Sequence, residues 1–114
     1  MKKLIDIHHW SRREHYEFFK QYDEPYHGVV VHLDCTPTFE ACKQRGESFF
    51  LRYLHAILES TNQTDAFRLR MESDQVVDYA CIHSGPTIAR PDHTFGFCLI
   101  EYAPEFPEFA LKAK

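Results

Sequence analysis

The stretch from residue 48 to residue 77 constrains the fold most, because a helical pattern passes into two strand patterns with little linker between them. Ser48 is a suitable N-terminal cap, and apolar residues then recur at steps of three and four, namely Phe50, Leu51, Leu54, Ile57 and Leu58. Residues 67–71 alternate apolar side chains with arginines, and residues 76–82 are apolar and β-prone, as in a hairpin. A helix that leads into a hairpin needs a sheet to pack against, so other segments must supply one.

The N-terminal half predicts further elements of both kinds. Residues 5–7 are typical of a short strand, and Ser11 with Glu14 predicts a capping box for a helix that reaches about Gln21. Residues 29–33 are almost continuously apolar, which predicts a strand buried on both faces. Thr36 as cap and Gly46 as stop then predict a short helix over residues 37–45.

Beyond the hairpin, residues 87–89 and 94–102 read as strands, and a helix that starts near Glu105 runs into the last residue, Lys114. Gly96 leaves space for another group to approach the second of these strands. The order of elements predicts one α/β domain over residues 1–114, a two-layer arrangement with helices packed on a mixed sheet. The uncapped final helix indicates a truncated domain.

Charge and composition exclude several classes of protein. The net charge is −4 with a pI near 6.0, and no block of basic residues is present, which argues against nucleic acid or an anionic membrane as partner. Asp6 interrupts any apolar leader, and no run of 18 apolar residues occurs, so we expect a cytoplasmic protein. The four cysteines form no C-x-x-C pair, which favours reduced packing thiols.

Eight histidines invite a metal or acid–base interpretation, and His8 with His9 is the most obvious pair. No orienting carboxylate is expected beside this pair, since Arg12 and Arg13 occupy the following positions, and surface histidines are the favoured interpretation. Metal-ligand spacings, nucleophile elbows and phosphate-binding glycine motifs are all missing from the sequence. Arg68 and Arg70 are expected to form an exposed stripe on one strand face, with a subunit interface as the alternative.

Four segments carry a specific resemblance, and they are WSRREHYEFF (10–19), SFFLRYL (48–54), FRLR (67–70) and TFGF (94–97). With these residues at these distances, the chain resembles the N-terminal half of chloramphenicol acetyltransferases. The resemblance implies the two-layer α/β fold of coenzyme A-dependent acyltransferases, a homotrimer with active sites between subunits, and acetyl transfer from acetyl-CoA to the 3-hydroxyl of chloramphenicol.

The resemblance also implies what these 114 residues do not carry. The catalytic signature of the family, H-H-x-x-x-D-G, belongs to the other half, and His8-His9 does not replace it because Arg13 stands where the aspartate would be. No catalytic residue and no metal ligand is therefore predicted in this chain. Arg12 matches the arginine that pairs with the signature aspartate, so a half without that aspartate should expose Arg12 or be unstable.

The residues that the family uses to bind the acceptor can be matched one by one to residues of this sequence. The family's aromatic pair on the first helix matches Phe18 and Phe19, and its pocket strand matches Phe95 and Phe97. Thr87 is a weaker match to a threonine that lines the pocket before that strand.

Three interpretations stay open at this point. The chain is part of an acetyltransferase whose activity belongs to the complete protein, or a non-catalytic remnant that associates through exposed apolar faces, or a small aromatic-lined module that binds hydrophobic ligands without turnover.

Overall fold

The helix-to-hairpin unit predicted from residues 48–77 is present in the computed structural model, which describes residues 1–114. In chain order the elements are β1 (Lys2–Leu4), α1 (Arg13–Phe19), α2 (Thr36–Arg45), α3 (Phe49–Gln63), β2 (Leu69–Glu72), β3 (Gln75–Tyr79), β4 (Thr87–Ala89), β5 (Phe95–Phe97) and α4 (Phe106–Lys112). Short 3-10 turns lie at Ile7–His9 and Asp65–Arg68. The α/β layered fold is confirmed.

Local signals set the ends of the two central helices. The Leu51 N–H donates to the Ser48 hydroxyl oxygen at 3.2 Å, so Ser48 caps α3 as predicted. Gly46 ends α2 in the left-handed region with φ of 67°, where an L side chain would be strained. At the start of α2 the cap differs from the prediction, because the Asp34 carboxylate accepts the Thr36 N–H at 3.0 Å.

The three-stranded sheet has the order β1-β3-β2, and both of its strand pairs are antiparallel. Ser73 and Asp74 have positive φ values of 48° and 64° in the two-residue turn of the predicted hairpin. Val76 and Val77 of the central strand are almost fully buried, although they point to opposite faces. β4 and β5 form a separate antiparallel pair.

The core lies between α3, α4 and the segment that joins β5 to α4. Its buried residues are Leu58, Ile100, Ala103, Phe106 and Phe109. His55 is buried among them and bonds the Ala103 carbonyl oxygen through Nε2 at 2.9 Å. The Arg52 guanidinium lies 3.8 Å above the ring of Phe106 and donates two hydrogen bonds to Glu47. Aromatic packing and paired polar groups therefore hold α4 on α3.

The predicted exposed stripe of Arg68 and Arg70 is wrong for Arg68, whose side chain is only 17% exposed. Its guanidinium donates to the carbonyl oxygens of Asn62 and Tyr79 and to the carboxylate of Asp65. Arg68 lies in the 3-10 turn before β2, and this turn directs it back toward the end of α3. The arginine joins the helix to the hairpin.

The predicted strand over residues 29–33 does not form, and the predicted mixed sheet is therefore not present. The four apolar residues of this segment, Val29, Val30, Val31 and Leu33, are 85, 91, 75 and 82% exposed. The physical reason is that no strand within residues 1–114 lies beside the segment, so it has neither a ladder nor a core to join.

Two N-terminal predictions are also corrected. The first strand is Lys2–Leu4 and not residues 5–7, because the Asp6 carboxylate accepts the His8 N–H at 3.2 Å and starts a 3-10 turn. Helix α1 begins at Arg13 without a side-chain cap and ends at Phe19, so the Ser11 capping box is wrong. The Arg13 N–H donates to the Trp10 carbonyl at 3.1 Å, and that turn delays the start of the helix.

The chain leaves much of its surface uncovered. Its radius of gyration is 17.6 Å, whereas a folded domain of this length has about 13 Å. Its accessible surface of 9407 Å² exceeds the value of about 6,500 Å² expected for a folded monomer of this mass by about 2,900 Å². Apolar packing inside residues 1–114 is therefore local to the core and the small sheet.

Candidate functional site

The first part of the candidate site is an aromatic cluster at the end of α1. Phe18 and Phe19 meet edge to face with ring centroids 5.0 Å apart, and Tyr22 lies 5.6 and 5.5 Å from them. All three rings are about half exposed. Because α1 ends at Phe19, these rings lie at a helix terminus and form an apolar surface.

The second part is the strand β5, where Phe95 and Phe97 lie two residues apart and so share one face of the hairpin. Their rings meet edge to face at 5.7 Å, and Phe97 is 78% exposed. Thr87 stands directly opposite Phe97 in the β4–β5 register and is exposed. An apolar pair and a hydroxyl therefore lie side by side.

Gly96 lies between the two phenylalanines on the opposite face, and the Arg90 side chain occupies the space beside it. A Cβ atom at Gly96 would stand 2.4 Å from Nη2 of Arg90 and 3.0 Å from its Cζ. The close approach expected at Gly96 is therefore made by a guanidinium of the same hairpin. The Arg90 N–H donates to the Thr94 carbonyl at 2.8 Å, which closes the turn between β4 and β5.

Hydrogen bonds fix the hairpin to the core. Ser84 and Ile100 exchange backbone hydrogen bonds at 3.1 and 2.9 Å, and the Tyr102 N–H donates to Nδ1 of His83 at 2.9 Å. Accepting this bond requires the neutral His83 ring to carry its proton on Nε2. The residues that flank the hairpin are thus attached beside the buried Ile100.

The two aromatic parts are not in ring contact with each other. Among the four candidate phenylalanines, Phe18 pairs with Phe19 and Phe95 pairs with Phe97, and no ring pair joins α1 to β5. An open groove of about 550 Å³ beside α1 is lined mainly by polar residues and includes Phe18 alone of the candidate residues. Residues 1–114 thus present two separate aromatic surfaces that share no ring contact.

Arg12 is exposed, as expected for the arginine without its aspartate partner. Its guanidinium carbon lies 5.7 Å from the centre of the Trp10 ring. No carboxylate of the chain pairs with Arg12, so the cation rests on an aromatic face beside the start of α1.

The His8-His9 pair lies on the surface, but the prediction that it lacks an orienting carboxylate is wrong. Asp6 accepts a hydrogen bond from the ring Nδ1 of His9 at 2.8 Å. This hydrogen bond lowers the pKa of Asp6. Asp6 lies three residues before His9, whereas the prediction rested on the positions that follow the pair. The side chains of His9 and Asp6 are both mostly exposed, so they do not form an enclosed acid–base site.

The remaining histidines and cysteines do not converge. No group of three His, Cys, Asp or Glu side chains is arranged to hold a metal ion. All four cysteines are free, and Cys42 is the buried one. None of the helices has the length and hydropathy of a membrane-spanning segment.

Comparison with known proteins gives consistent relatives. The chloramphenicol acetyltransferase family model matches residues 2–113. A chloramphenicol acetyltransferase of Klebsiella sp. is 26% identical over 106 residues, which cover 92% of this chain and 48% of the relative. Chloramphenicol acetyltransferase 2 of Escherichia coli is 25% identical over 108 residues, covering 92% and 50%.

A solved chloramphenicol acetyltransferase structure superposes with a TM-score of 0.92 at 32% identity, over 99% of this chain and 54% of the other. The chain therefore spans about half the length of the relatives that it matches. Because the family model and the superposition both extend over nearly all 114 residues, the chain belongs to the chloramphenicol acetyltransferase family.

Proposed function

We propose that this protein acts in acetyl transfer from acetyl-CoA to the 3-hydroxyl of chloramphenicol or of a related hydroxylated acceptor, as an antibiotic-resistance enzyme. Residues 1–114 would supply the acceptor side of the site. The single observation that carries this proposal is the family match over residues 2–113. It is supported by exposed phenylalanine pairs at the positions expected to contact the acceptor.

The reaction needs a base that this chain does not contribute. The acceptor hydroxyl oxygen attacks the acetyl carbonyl carbon, a base takes the hydroxyl proton, and the bond from that carbon to the sulfur of coenzyme A breaks. The thiolate then receives the proton and leaves as free coenzyme A. We assign the base to the family's histidine signature, which residues 1–114 do not contain.

The role of this half is to bind and orient the acceptor. Phe18, Phe19, Phe95 and Phe97 offer apolar ring faces and edges that an aromatic antibiotic can pack against. The exposed hydroxyl of Thr87 lies opposite Phe97 and offers a hydrogen bond to a polar group of the acceptor. Arg12 is proposed to pair with the aspartate of the catalytic signature, which would hold the two halves of the site in register.

The complete enzyme is proposed to be a cytoplasmic homotrimer. The separation of the two aromatic surfaces supports this assembly, because each needs a further wall before it can enclose a ligand. Packing between subunits would supply that wall.

A chimera tests the proposal. Residues 2–113 replace the matched region of the Escherichia coli relative, and acetyl-CoA consumption is followed with chloramphenicol as acceptor. We expect turnover, and we expect Phe97→Ala to raise KM for chloramphenicol about tenfold with a smaller change in kcat. The control is Phe67→Ala, an exposed phenylalanine in the turn before β2. A folded chimera that acetylates neither chloramphenicol nor a related hydroxylated acceptor would contradict the proposal.

The second candidate is a non-catalytic module that associates with another protein or binds a hydrophobic ligand. The exposed apolar segment at residues 29–33 favours it. Binding of chloramphenicol to the 114-residue chain, with an affinity that acetyl-CoA leaves unchanged, would distinguish this role from catalysis.

A further inference from the structure

The antiparallel pairing of β4 with β5 continues toward the core in the same register. There Ser84 lies opposite Ile100, and the two residues exchange backbone hydrogen bonds at 3.1 and 2.9 Å. Hydrogen-bonded pairs recur at every second residue of an antiparallel ladder, so the next pair in this register is Ile82 with Tyr102. The ladder stops at this position, because no backbone hydrogen bond joins Ile82 to Tyr102.

Two side chains make the hydrogen bonds that this pair would have made. The Asn62 carboxamide bonds both backbone groups of Ile82, at 2.7 and 3.0 Å. The Tyr102 N–H donates instead to Nδ1 of His83, at 2.9 Å. His83 thus substitutes for a backbone acceptor at the point where the chain leaves the ladder and turns toward α4.

This substitution depends on the charge of the His83 ring. Nδ1 accepts a hydrogen bond only in the neutral ring, because both nitrogens of a protonated imidazole are donors. Histidine side chains change charge within about pH 5–8. His83 is exposed, and it forms no ion pair with a carboxylate of the chain. Protonation would therefore break the bond to Tyr102 without an ion pair to replace it.

The charged and titratable groups across the open groove beside His83 do not bond its ring. They are Arg70, Glu72, Tyr79 and Cys81. The Tyr79 hydroxyl donates to Glu72, and this hydrogen bond lowers the pKa of Glu72 and raises the pKa of Tyr79. Both groups therefore keep one charge state over the range in which histidine titrates.

The groups beside the opposite segment also make no hydrogen bond to the imidazole. Burial raises the pKa of the Tyr102 hydroxyl, and the nearby carboxylates of Glu59 and Glu105 raise it further. Glu101 pairs with Lys112 at 3.5 Å. Of the groups that face this contact, the His83 ring is the one whose change of charge removes the acceptor for the Tyr102 N–H.

We propose that His83 is an acid-sensitive fastener at the end of this ladder. Its neutral ring holds the Tyr102 N–H, and its protonation releases residues 101–103 while the pairing of Ser84 with Ile100 persists. The proposal concerns the conformation of these residues and depends on neither the acceptor nor turnover.

The release reaches the core through His55. The Tyr102 ring stacks on the buried His55 ring with centroids 5.8 Å apart, and Nε2 of His55 bonds the Ala103 carbonyl oxygen at 2.9 Å. Nε2 of His55 can donate this bond in either charge state, so this second contact does not require a neutral ring. Loosening at Tyr102 should therefore precede any detachment of α4.

The test follows backbone amides of the unchanged chain by NMR hydrogen exchange from about pH 8 to about pH 5. After correction for the intrinsic pH dependence of exchange, protection of the Tyr102 amide should fall about tenfold as the pH is lowered. The Ile100 amide, which donates to the Ser84 carbonyl, should keep its protection. Proton–nitrogen correlation spectra of the imidazole should place the proton of neutral His83 on Nε2.

Two variants assign the pH dependence to one ring. His83→Asn supplies a carboxamide oxygen that accepts at every pH, so Tyr102 should be protected without a pH step. His83→Ala removes the acceptor and should give low protection throughout. The control is His27→Gln, which changes an exposed histidine without a hydrogen-bond partner in the chain and should retain the step.

Four results would overturn the proposal. They are a proton on Nδ1 of neutral His83, Tyr102 protection that does not change with pH in the unchanged chain, a pH step that survives in His83→Asn, and an equal acid loss of protection at Ile100. The first two need no variant, so a variant that does not fold leaves the test intact. None of these readouts uses catalysis, so their failure is distinct from a failure of the acetyltransferase function.

Discussion

Asn62 and Ile82 exchange two hydrogen bonds that fasten the end of α3 to the segment after β3. The Asn62 amide donates to the Ile82 carbonyl oxygen at 3.0 Å, and the Ile82 N–H donates to Oδ1 of Asn62 at 2.7 Å. The same Asn62 nitrogen also donates to the Leu58 carbonyl at 2.9 Å. One carboxamide thus satisfies both backbone groups of a residue 20 positions away.

Asn62→Ala should therefore destabilise the chain. It leaves a partly buried N–H and a carbonyl without partners, and each such group costs about 1–3 kcal/mol. Urea unfolding followed by circular dichroism measures the change. Gln63→Ala is the control, because Gln63 is the exposed neighbour on the same helix. Equal stability of the two variants would contradict the structural role of Asn62.

Phe109→Ala should be among the most damaging substitutions. Phe109 has no exposed surface and packs with His55 and Phe106, so its loss leaves a cavity that costs about 3–5 kcal/mol. The matched control on the same helix is Leu111→Ala, since Leu111 is mostly exposed and should change stability by about 0.5 kcal/mol or less. Thermal unfolding of the two variants gives the comparison. If Leu111→Ala lowered the stability as much as Phe109→Ala, the assignment of Phe109 to the core-facing side of α4 would be wrong.

Gly96→Ala should be costly only while Arg90 is present. The new methyl group would displace the guanidinium, which is exposed and can move away, so the cost should be about 0.5–1 kcal/mol. In an Arg90→Ala background the same change should be neutral. A double-mutant cycle of unfolding free energies measures this coupling. A coupling of zero would mean that Arg90 does not lie across Gly96.

The pH dependence of the β2–β3 hairpin should reflect one hydrogen bond. The Tyr79 hydroxyl donates to the Glu72 carboxylate, which lowers the pKa of Glu72 below its ordinary 4.5 and raises the pKa of Tyr79 above 10.0. A lowered carboxyl pKa stabilises the fold above the ordinary value, and this contribution is lost as pH falls below about 4.5. A raised tyrosine pKa stabilises the fold below 10.0, and this contribution is lost as pH rises past that value.

Tyr79→Phe should flatten both limbs of that profile, measured as the urea midpoint from pH 3 upward. The control is Tyr53→Phe, because the Tyr53 hydroxyl has no hydrogen-bond partner in the chain and its ring is partly exposed. If the stability of Tyr79→Phe still falls at low pH as in the original protein, other carboxylates are responsible for that loss.

Elements with local signals could be predicted from the sequence. Ser48, Gly46 and the Ser73-Asp74 turn act within a few residues, and each ends or starts an element as expected. The position of Arg68 and the Asn62–Ile82 bonds could not be predicted, because their partners are brought close only by the chain's tertiary arrangement. Residues 29–33 carry a β pattern that does not become a strand, because strand formation needs a neighbouring strand and none lies beside this segment within residues 1–114.

The candidate site, too, could be predicted from the sequence only in part. The face shared by Phe95 and Phe97 follows from strand alternation, and Arg12 is exposed, which is one of the two outcomes predicted for it. The contact between Arg90 and Gly96 could be predicted only in part. The glycine indicates that another group can approach the strand, but it does not identify Arg90 as that group. The roles of the two phenylalanine pairs in acceptor binding stay predictions.

The most direct measurement is acetyl transfer from acetyl-CoA to chloramphenicol by the purified 114-residue chain, assayed alone and then with the unmatched half of the Escherichia coli relative. We predict no rate above the uncatalysed background for the chain alone and clear turnover in the mixture, because we assign the proton-accepting histidine to the other half. Robust turnover by the chain alone would contradict the assignment of residues 1–114 to the acceptor side.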